Sequence, residues 1–234
     1  MTGIHQDLAR RAEARNPIRF AVVGAGQMGT DIVSQVHCMR GIEVAAIADL
    51  DLSRATEAYQ IARVPAERVV VTNSVNSAND AVRAGKFVVT EDPALIPGIE
   101  LLESVVDATG HPEAGARVAL DCFAHRKHLV MMNGEGDVTI GPVLRRKAEE
   151  AGVLYSMAAG DEPTALMELY GFAMALGLEI VAAGKGKNNP LNRDAVPEEY
   201  AVEAARRGLN PHMLVEFVDG SKTMIEMACF ANAT

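Results

Sequence analysis

The sequence predicts an α/β protein in which a doubly wound parallel sheet is followed by a second, smaller α+β domain. Two observations carry this. Short β-branched apolar runs alternate with helical patterns through about the first 160 residues, as βαβ units require, and beyond that point the rhythm changes. The composition agrees: 234 residues with 49% apolar, 23% charged, 20 Gly and 10 Pro are ordinary values for a folded domain and exclude disordered and fibrous classes. We therefore expect a first domain over residues 1–160 and a second over 161–234.

In chain order, strands are expected at Ile18 to Gly24, Val44 to Asp49, Phe87 to Thr90, Val105 to Thr109, His128 to Asn133 and Val153 to Ala158. Helices fall between them at Met28 to Met39, Leu52 to Ala62, Ser77 to Ala84, Pro112 to Arg126 and Val138 to Ala151, the last stopped by Gly152. The second domain is expected to open with a helix from Thr164 to Leu176, a strand Ile180 to Ala183 and a polar loop from Gly184 to Asp194. A charged helix Glu198 to Arg207 and a strand Met213 to Val218 meeting an Asp219-Gly220 turn follow, and then the run Lys222 to Ala231. The chain stops at Thr234 straight after that apolar run, so the second domain is expected to be incomplete. The run itself is expected to be buried against further chain or a partner subunit, as in a homo-oligomer.

Charge narrows the partners. With 22 Lys+Arg against 31 Asp+Glu the formal net charge is −9, which disfavours nucleic acid and anionic membrane surfaces. Cys38, Cys122 and Cys229 show neither paired nor CxxC spacing, and the charged first fifteen residues break any signal-peptide core. No uncharged apolar run approaches 18 residues, so the expected compartment is the cytoplasm.

The strongest motif is Gly24-Ala25-Gly26-Gln27-Met28-Gly29, placed after an apolar strand and opening a helix, which is the context a dinucleotide-binding turn needs. Gly24 allows the tight turn, Gly26 lets the backbone approach a pyrophosphate, and Gly29 lets helix and strand pack closely. The helix start at Gln27 and Met28 then offers free N–H groups to the phosphates. Twenty positions after Gly29, Asp49 ends the second strand, where a carboxylate accepts hydrogen bonds from ribose hydroxyls and repels a 2′-phosphate. This favours NAD(H); the alternative for Asp49 is a helix cap, a role Asp51 or Ser53 would fill equally well.

Asp107-Ala108-Thr109-Gly110 and Asn133-Gly134-Glu135 end later strands, where the ligand crevice of an open sheet lies. Thr109 and Gly110 are expected beside the cofactor, and Asn133 beside nicotinamide or substrate, or else as a turn residue. Asp161 and Glu162 in Ala159-Gly160-Asp161-Glu162-Pro163 are candidates for catalysis across an interdomain cleft, for a divalent metal, or for helix capping. The loop Gly184-Lys185-Gly186-Lys187-Asn188-Asn189-Pro190 is expected to hold a small anionic substrate through Lys185, Lys187 and Asn188. With a lowered pKa, one of its lysines would act as a general acid; otherwise the loop is a solvated surface.

The glycine fingerprint, Asp107-Ala108-Thr109-Gly110 and the two-domain layout resemble the homoserine dehydrogenase superfamily, with its Rossmann-type first domain. A closer likeness runs through His128 to Pro142 (HLVMMNGEGDVTIGP), Ala159 to Pro163 (AGDEP), Ala183 to Asn192 (AGKGKNNPLN) and Val215 to Thr234 (VEFVDGSKTMIEMACFANAT). These look like the deoxyxylulose-5-phosphate reductoisomerase-like enzymes, homoserine dehydrogenase-like oxidoreductases with a C-terminal SAF domain. The resemblance implies reductive isomerisation of 1-deoxy-D-xylulose 5-phosphate to 2-C-methyl-D-erythritol 4-phosphate, an isoprenoid step, with NADP(H) and a divalent cation. Asp49 departs from the NADPH expectation, and Met132-Asn133-Gly134 stands where homoserine dehydrogenases carry a lysine. The residue readings keep two alternatives open: an NAD-dependent dehydrogenase of another small hydroxy acid or sugar acid, and a non-catalytic nucleotide sensor.

Overall fold

A computed structural model describes residues 3–186 and 189–234 and divides the chain into two compact units, Met1–Ser156 and Met157–Thr234. In the first, strands β1 (Ile18–Val23), β2 (Ile42–Ala48), β3 (Val69–Val71), β4 (Phe87–Thr90), β5 (Ser104–Asp107), β6 (His128–Met131) and β7 (Tyr155–Met157) form one sheet in the order β3-β4-β2-β1-β5-β6-β7. Neighbouring strands from β3 to β6 pair in parallel. The chain runs from β1 to β2, out to the edge strand β3 and back to β4 between β3 and β2, then crosses to β5 on the other side of β1. The sheet therefore reverses direction between β1 and β5, which is where a doubly wound sheet opens its crevice.

Helices α1 (Ile4–Glu13), α2 (Gln27–His37), α3 (Leu52–Ile61), α4 (Val75–Arg83), α5 (Pro112–Ala124) and α6 (Gly134–Ala151) complete this unit. Side chains of β1 alternate between the two faces of the sheet, and each face has its own core. Phe20 and Val22 join Val33 of α2 and Ala55 and Tyr59 of α3, whereas Ala21 and Val23 join Val118 of α5 and Leu144 of α6. Burial on both faces explains why the strands read as continuous apolar runs. The sequence missed β3, a three-residue strand at the sheet edge, and α1, which buries none of its residues.

The second unit holds α7 (Glu162–Ala175), α8 (Pro197–Arg207), α9 (Pro211–Asp219) and α10 (Ser221–Ala233). Tyr170 of α7 meets Phe230 of α10 edge to face, with ring centroids 5.8 Å apart. Two expected strands are corrected here. Met213 to Val218 lies in helix α9, started by Asn210, whose side chain accepts from the His212 N–H, with Pro211 in the first turn. Asp219-Gly220 is a helix stop rather than a hairpin turn, Gly220 taking the left-handed conformation at φ 89°. Ile180 to Ala183 forms no strand, and no strand lies between residues 158 and 234 among those described.

Buried polar groups shape the packing of α5 and α6 at the sheet's carboxyl edge. Asp107 is fully buried at the end of β5, and a Cβ added at Gly115 of α5 would stand 2.4 Å from its Oδ2. On α6, Asp137 accepts a 2.6 Å hydrogen bond from the Tyr155 hydroxyl, and Gly141 leaves room for it in the same way, with its added Cβ 2.5 Å from Asp137 Oδ1. Gly115→Ala is therefore expected to lower stability by about 1 to 3 kcal/mol. In an Asp107→Ala background that cost should largely vanish, and urea unfolding of the four proteins as a double-mutant cycle checks it.

Candidate functional site

The glycine loop is built by strand register. Val23 of β1 pairs with Ala48 of β2 and with Asp107 of β5, so the next residues, Gly24, Asp49 and Ala108, emerge side by side. Gly24 has φ 100°, and a Cβ there would stand 2.6 Å from the Ala108 carbonyl oxygen. A Cβ on Gly29 would stand 2.0 Å from the Gly24 carbonyl oxygen, so α2 rests directly on the turn. Gly26 differs: a Cβ there meets nothing within 4 Å. That open space lies at the start of α2, whose N-cap is Gly26 and whose first N–H groups receive no side-chain cap. Gln27 and Met28 are exposed beside it.

Asp49 is half-buried and reaches back to this loop. Its Oδ2 accepts from the Ala25 N–H at 2.6 Å and its Oδ1 from the Asp51 N–H at 2.8 Å. The cap of α3 is Asp51, which accepts from the Ser53 N–H at 2.9 Å. Arg54, the nearest basic residue in sequence, lies 3.6 Å from the Asp51 carboxylate. An open Gly26, an uncapped helix start and a carboxylate fixed beside the turn fit a dinucleotide, with Gly26 to Gly29 at the pyrophosphate and Asp49 at the ribose.

At the end of β5, Thr109 is half-buried and donates its N–H to Asp107 Oδ1 at 3.3 Å, while Gly110 is exposed with φ 64°. Burial pushes the Asp107 carboxyl above the usual carboxylate range, against the opposing influence of the Thr109 hydrogen bond and the nearby Asn133 amide. Asn133 is only 1% exposed and acts as the cap of α6, its Oδ1 accepting from the Gly136 N–H at 2.9 Å.

The second unit gathers a different set. Asp161 and Glu162 at the start of α7 meet Glu226 of α10, and one carboxylate oxygen from each lies within 4.8 Å of the others. Asp161 occupies the N-cap position without capping; the Thr164 hydroxyl shares its proton between the carbonyls of Ala158, at 2.7 Å, and Asp161, at 2.8 Å. Lys185 donates to Glu162 Oε1 at 2.9 Å and also to Glu226 Oε2, and Lys222 stands 3.8 Å from Glu226 Oε1. Glu226 is 2% exposed, and among the described residues its Oε1 has no hydrogen-bond partner. Lys187 and Asn188, both expected in this site, lie outside the described residues. Asn189 donates to the Phe217 carbonyl at 3.1 Å and ties the loop to α9.

These contacts set the charges. The Lys185 hydrogen bond holds the Glu162 carboxyl down at about 2. Burial pulls the Lys185 ammonium down, but its bonds to Glu226 and Glu162 outweigh that and raise it above its usual value. Lys185 is therefore held as a cation, and Lys187, the other lysine for which a general-acid role was expected, lies outside the described residues. Asp161 is pushed up, first by burial and then by its hydrogen bond with Glu162. The Lys185 ammonium bonds two of these three carboxylates, Glu162 and Glu226, and Asp161, Glu162 and Glu226 are the residues that could hold a metal ion. Glu226 and Lys222 were missed from sequence because α10 reads as an apolar run, in which a single Glu carries no signal.

The first unit has the architecture of a doubly wound, Rossmann-type α/β domain. Residues 160–234 match the family model described as "Oxidoreductase DRL, catalytic domain". Among curated proteins, an inositol 2-dehydrogenase of Pseudarthrobacter chlorophenolicus is 39% identical over 66 residues, 26% of this chain and 20% of the relative. Similar solved structures include scyllo-inositol dehydrogenase from Lactobacillus casei with bound NAD(H) and scyllo-inositol, at 11% identity, 68% coverage of this chain, 42% of that chain and a TM-score of 0.48. A homoserine dehydrogenase from Thiobacillus denitrificans matches at 18% identity, 68% and 34% coverage and a TM-score of 0.49. The chain thus spans a fifth of the length of the curated relative and less than half of these solved chains. Among the described residues no helix is long and apolar enough to cross a membrane.

Two outcomes follow. Gly26→Val should fold and lose dinucleotide affinity, whereas Gly29→Ala should lose the fold, because its neighbour is backbone; circular dichroism and calorimetry with NADH separate the two. For Glu162, whose carboxyl is depressed in the fold, the stabilising contribution is present above its usual value of 4.5 and is lost as pH falls toward about 2. The stability gap between the parent and Glu162→Gln should therefore shrink between about pH 5 and about pH 3 in urea unfolding.

Proposed function

We propose that the protein is an NAD(H)-dependent oxidoreductase that moves a hydride between the coenzyme and a hydroxyl- or carbonyl-bearing carbon of a small metabolite. The observation that carries this is the glycine loop, where the one position that must stay open to a ligand, Gly26, is open while Gly24 and Gly29 are closed by packing. The match of residues 160–234 to an oxidoreductase catalytic domain supports the same class for the second unit. The bound coenzyme supplies the hydride acceptor or donor. Lys185, kept protonated by Glu162 and Glu226, is the cation that the second unit can offer to a substrate oxygen, an electrostatic role that needs no proton release.

Reductive isomerisation of 1-deoxy-D-xylulose 5-phosphate is the most specific activity that the family resemblance implies, and dehydrogenation of another hydroxy acid or sugar acid is the alternative. A metal-dependent version of either requires an ion to exchange with the Lys185 ammonium at Asp161, Glu162 and Glu226.

Coenzyme choice tests the reading of Asp49. A 2′-phosphate beside it meets a carboxylate, and the guanidinium of Arg54 is paired with Asp51. Calorimetry is expected to show NADH bound at least about tenfold more tightly than NADPH, about 1.4 kcal/mol, and Asp49→Ser should narrow the gap. Tighter binding of NADPH by the parent protein would overturn the assignment, and no binding of either coenzyme would overturn the oxidoreductase reading.

A further inference from the structure

Two buried side chains at the carboxyl edge of the sheet have complementary hydrogen-bonding needs that the first unit leaves open. Asp107 ends β5 and is fully buried, and Asn133 stands before α6 at 1% exposure. Each spends one atom on its own turn: Asp107 Oδ1 accepts from the Thr109 N–H at 3.3 Å, and Asn133 Oδ1 accepts from the Gly136 N–H at 2.9 Å. The second atom of each, Asp107 Oδ2 and Asn133 Nδ2, has no partner among the described residues. We propose that Asp107 and Asn133 act as one carboxylate–amide pair that positions the Thr109 turn against the glycine loop, so that the coenzyme binds the protein with Asp107 ionised. Asp107 is then a positioning residue, and the proposal rests on the coenzyme reading above.

The geometry supplies the pairing. Gly115 of α5 faces both atoms, since a Cβ there would stand 2.4 Å from Asp107 Oδ2 and 3.3 Å from Asn133 Nδ2. An ionised carboxylate only accepts and an amide nitrogen only donates, so the two match. Protonation breaks the match. A proton on Oδ2 confronts the amide N–H groups and one on Oδ1 confronts the Thr109 N–H, so the neutral acid sets donor against donor at one end or the other.

Main chain carries the effect to the glycine loop. The Ala108 N–H donates to the Val23 carbonyl at 2.8 Å, and a Cβ on Gly24 would stand 2.6 Å from the Ala108 carbonyl oxygen and 3.0 Å from the Thr109 nitrogen. A shift of the Thr109 turn therefore presses on the backbone that opens α2.

Of the groups facing Asp107, Val23 of β1 and Met131 of β6 are apolar, and Thr109 and Asn133 are neutral. Cys122 of α5 stays a thiol, its pKa pushed up to about 12, first by burial and then by the charges of Asp121 and Asp107. Lys127, beside Cys122, gives its ammonium to the carbonyls of Glu100 and Leu102, and Asp137 of α6 is held by the Tyr155 hydroxyl. Burial raises the Asp107 carboxyl and brings its titration closer to neutral pH. By linkage, coenzyme affinity is full above the Asp107 pKa and falls as pH drops through it, and binding in that window releases a proton.

Calorimetry with NAD+ from about pH 4.5 to about pH 8, in buffers of different ionisation enthalpy, reads affinity and proton release together, with circular dichroism recording the fold at each pH. Affinity is expected to fall about tenfold toward the acid end, with a proton released. Asp107→Asn sets an amide against the Asn133 amide and should weaken binding about tenfold. The exchanged variant Asp107→Asn/Asn133→Asp again places a donor opposite an acceptor and keeps an acceptor at the cap of α6. It should bind within about threefold of the parent, with its pH dependence moved to more acid values because a carboxylate is stabilised at a helix start. If Asp107→Asn does not fold, the pH series on the parent decides. Affinity independent of pH in the folded parent, proton uptake on binding, or a weakened single variant that the exchange does not rescue would each overturn the proposal alone. No NAD+ binding by the parent at any pH would overturn the coenzyme reading, and this proposal with it.

Discussion

Backbone against backbone at the end of β1 is the contact on which the first unit depends. The Gly29 Cα lies so near the Gly24 carbonyl, and Gly24 so near the Ala108 carbonyl, that a single methyl group at either position would overlap a main-chain oxygen. Main-chain atoms cannot swing aside as a side-chain tip can, so these positions fix where α2 starts and how closely it meets the sheet. Everything useful about the loop follows. The helix start is aimed at the space beside Gly26, and the Ala25 N–H is presented to Asp49, which locks the second strand's acidic residue against the turn.

The same edge of the sheet carries polar groups that ordinary core packing would avoid. Asp107 is fully buried with Oδ2 unpartnered among the described residues, Asn133 caps α6 through its Oδ1, and Asp137 is held by Tyr155. Glycines on α5 and α6 admit these side chains. A buried carboxylate costs free energy unless it is paired or protonated, which is why burial raises the Asp107 carboxyl. Such groups at the carboxyl end of β5 hold the Thr109 turn through the bond from its N–H to Asp107, next to the glycine loop.

In the second unit the organising element is an internal counter-ion. Lys185 joins the start of α7 to the buried Glu226 of α10, linking residues 162, 185 and 226 into one electrostatic group. An ammonium bonded to two carboxylates stays charged across the neutral range.

The glycine fingerprint, the alternation of apolar strands with helices, and the offset to Asp49 were legible because each is a local pattern fixed by strand and helix geometry. From them the doubly wound sheet follows, and with it the placement of Gly24, Gly26, Gly29 and Asp49. The edge strand β3 was too short to read, and α9 was misread because Asp219-Gly220 ends a helix or a hairpin equally well until burial of Leu214 and Val215 decides between them. Tertiary structure alone made Asn133 a cap and Lys185 a fixed cation, and brought Glu226 to Asp161 and Glu162. The reason is physical. A side chain's hydrogen-bond partners and charge state depend on groups distant in sequence that folding brings within a few ångströms, and no periodicity along the chain encodes that distance.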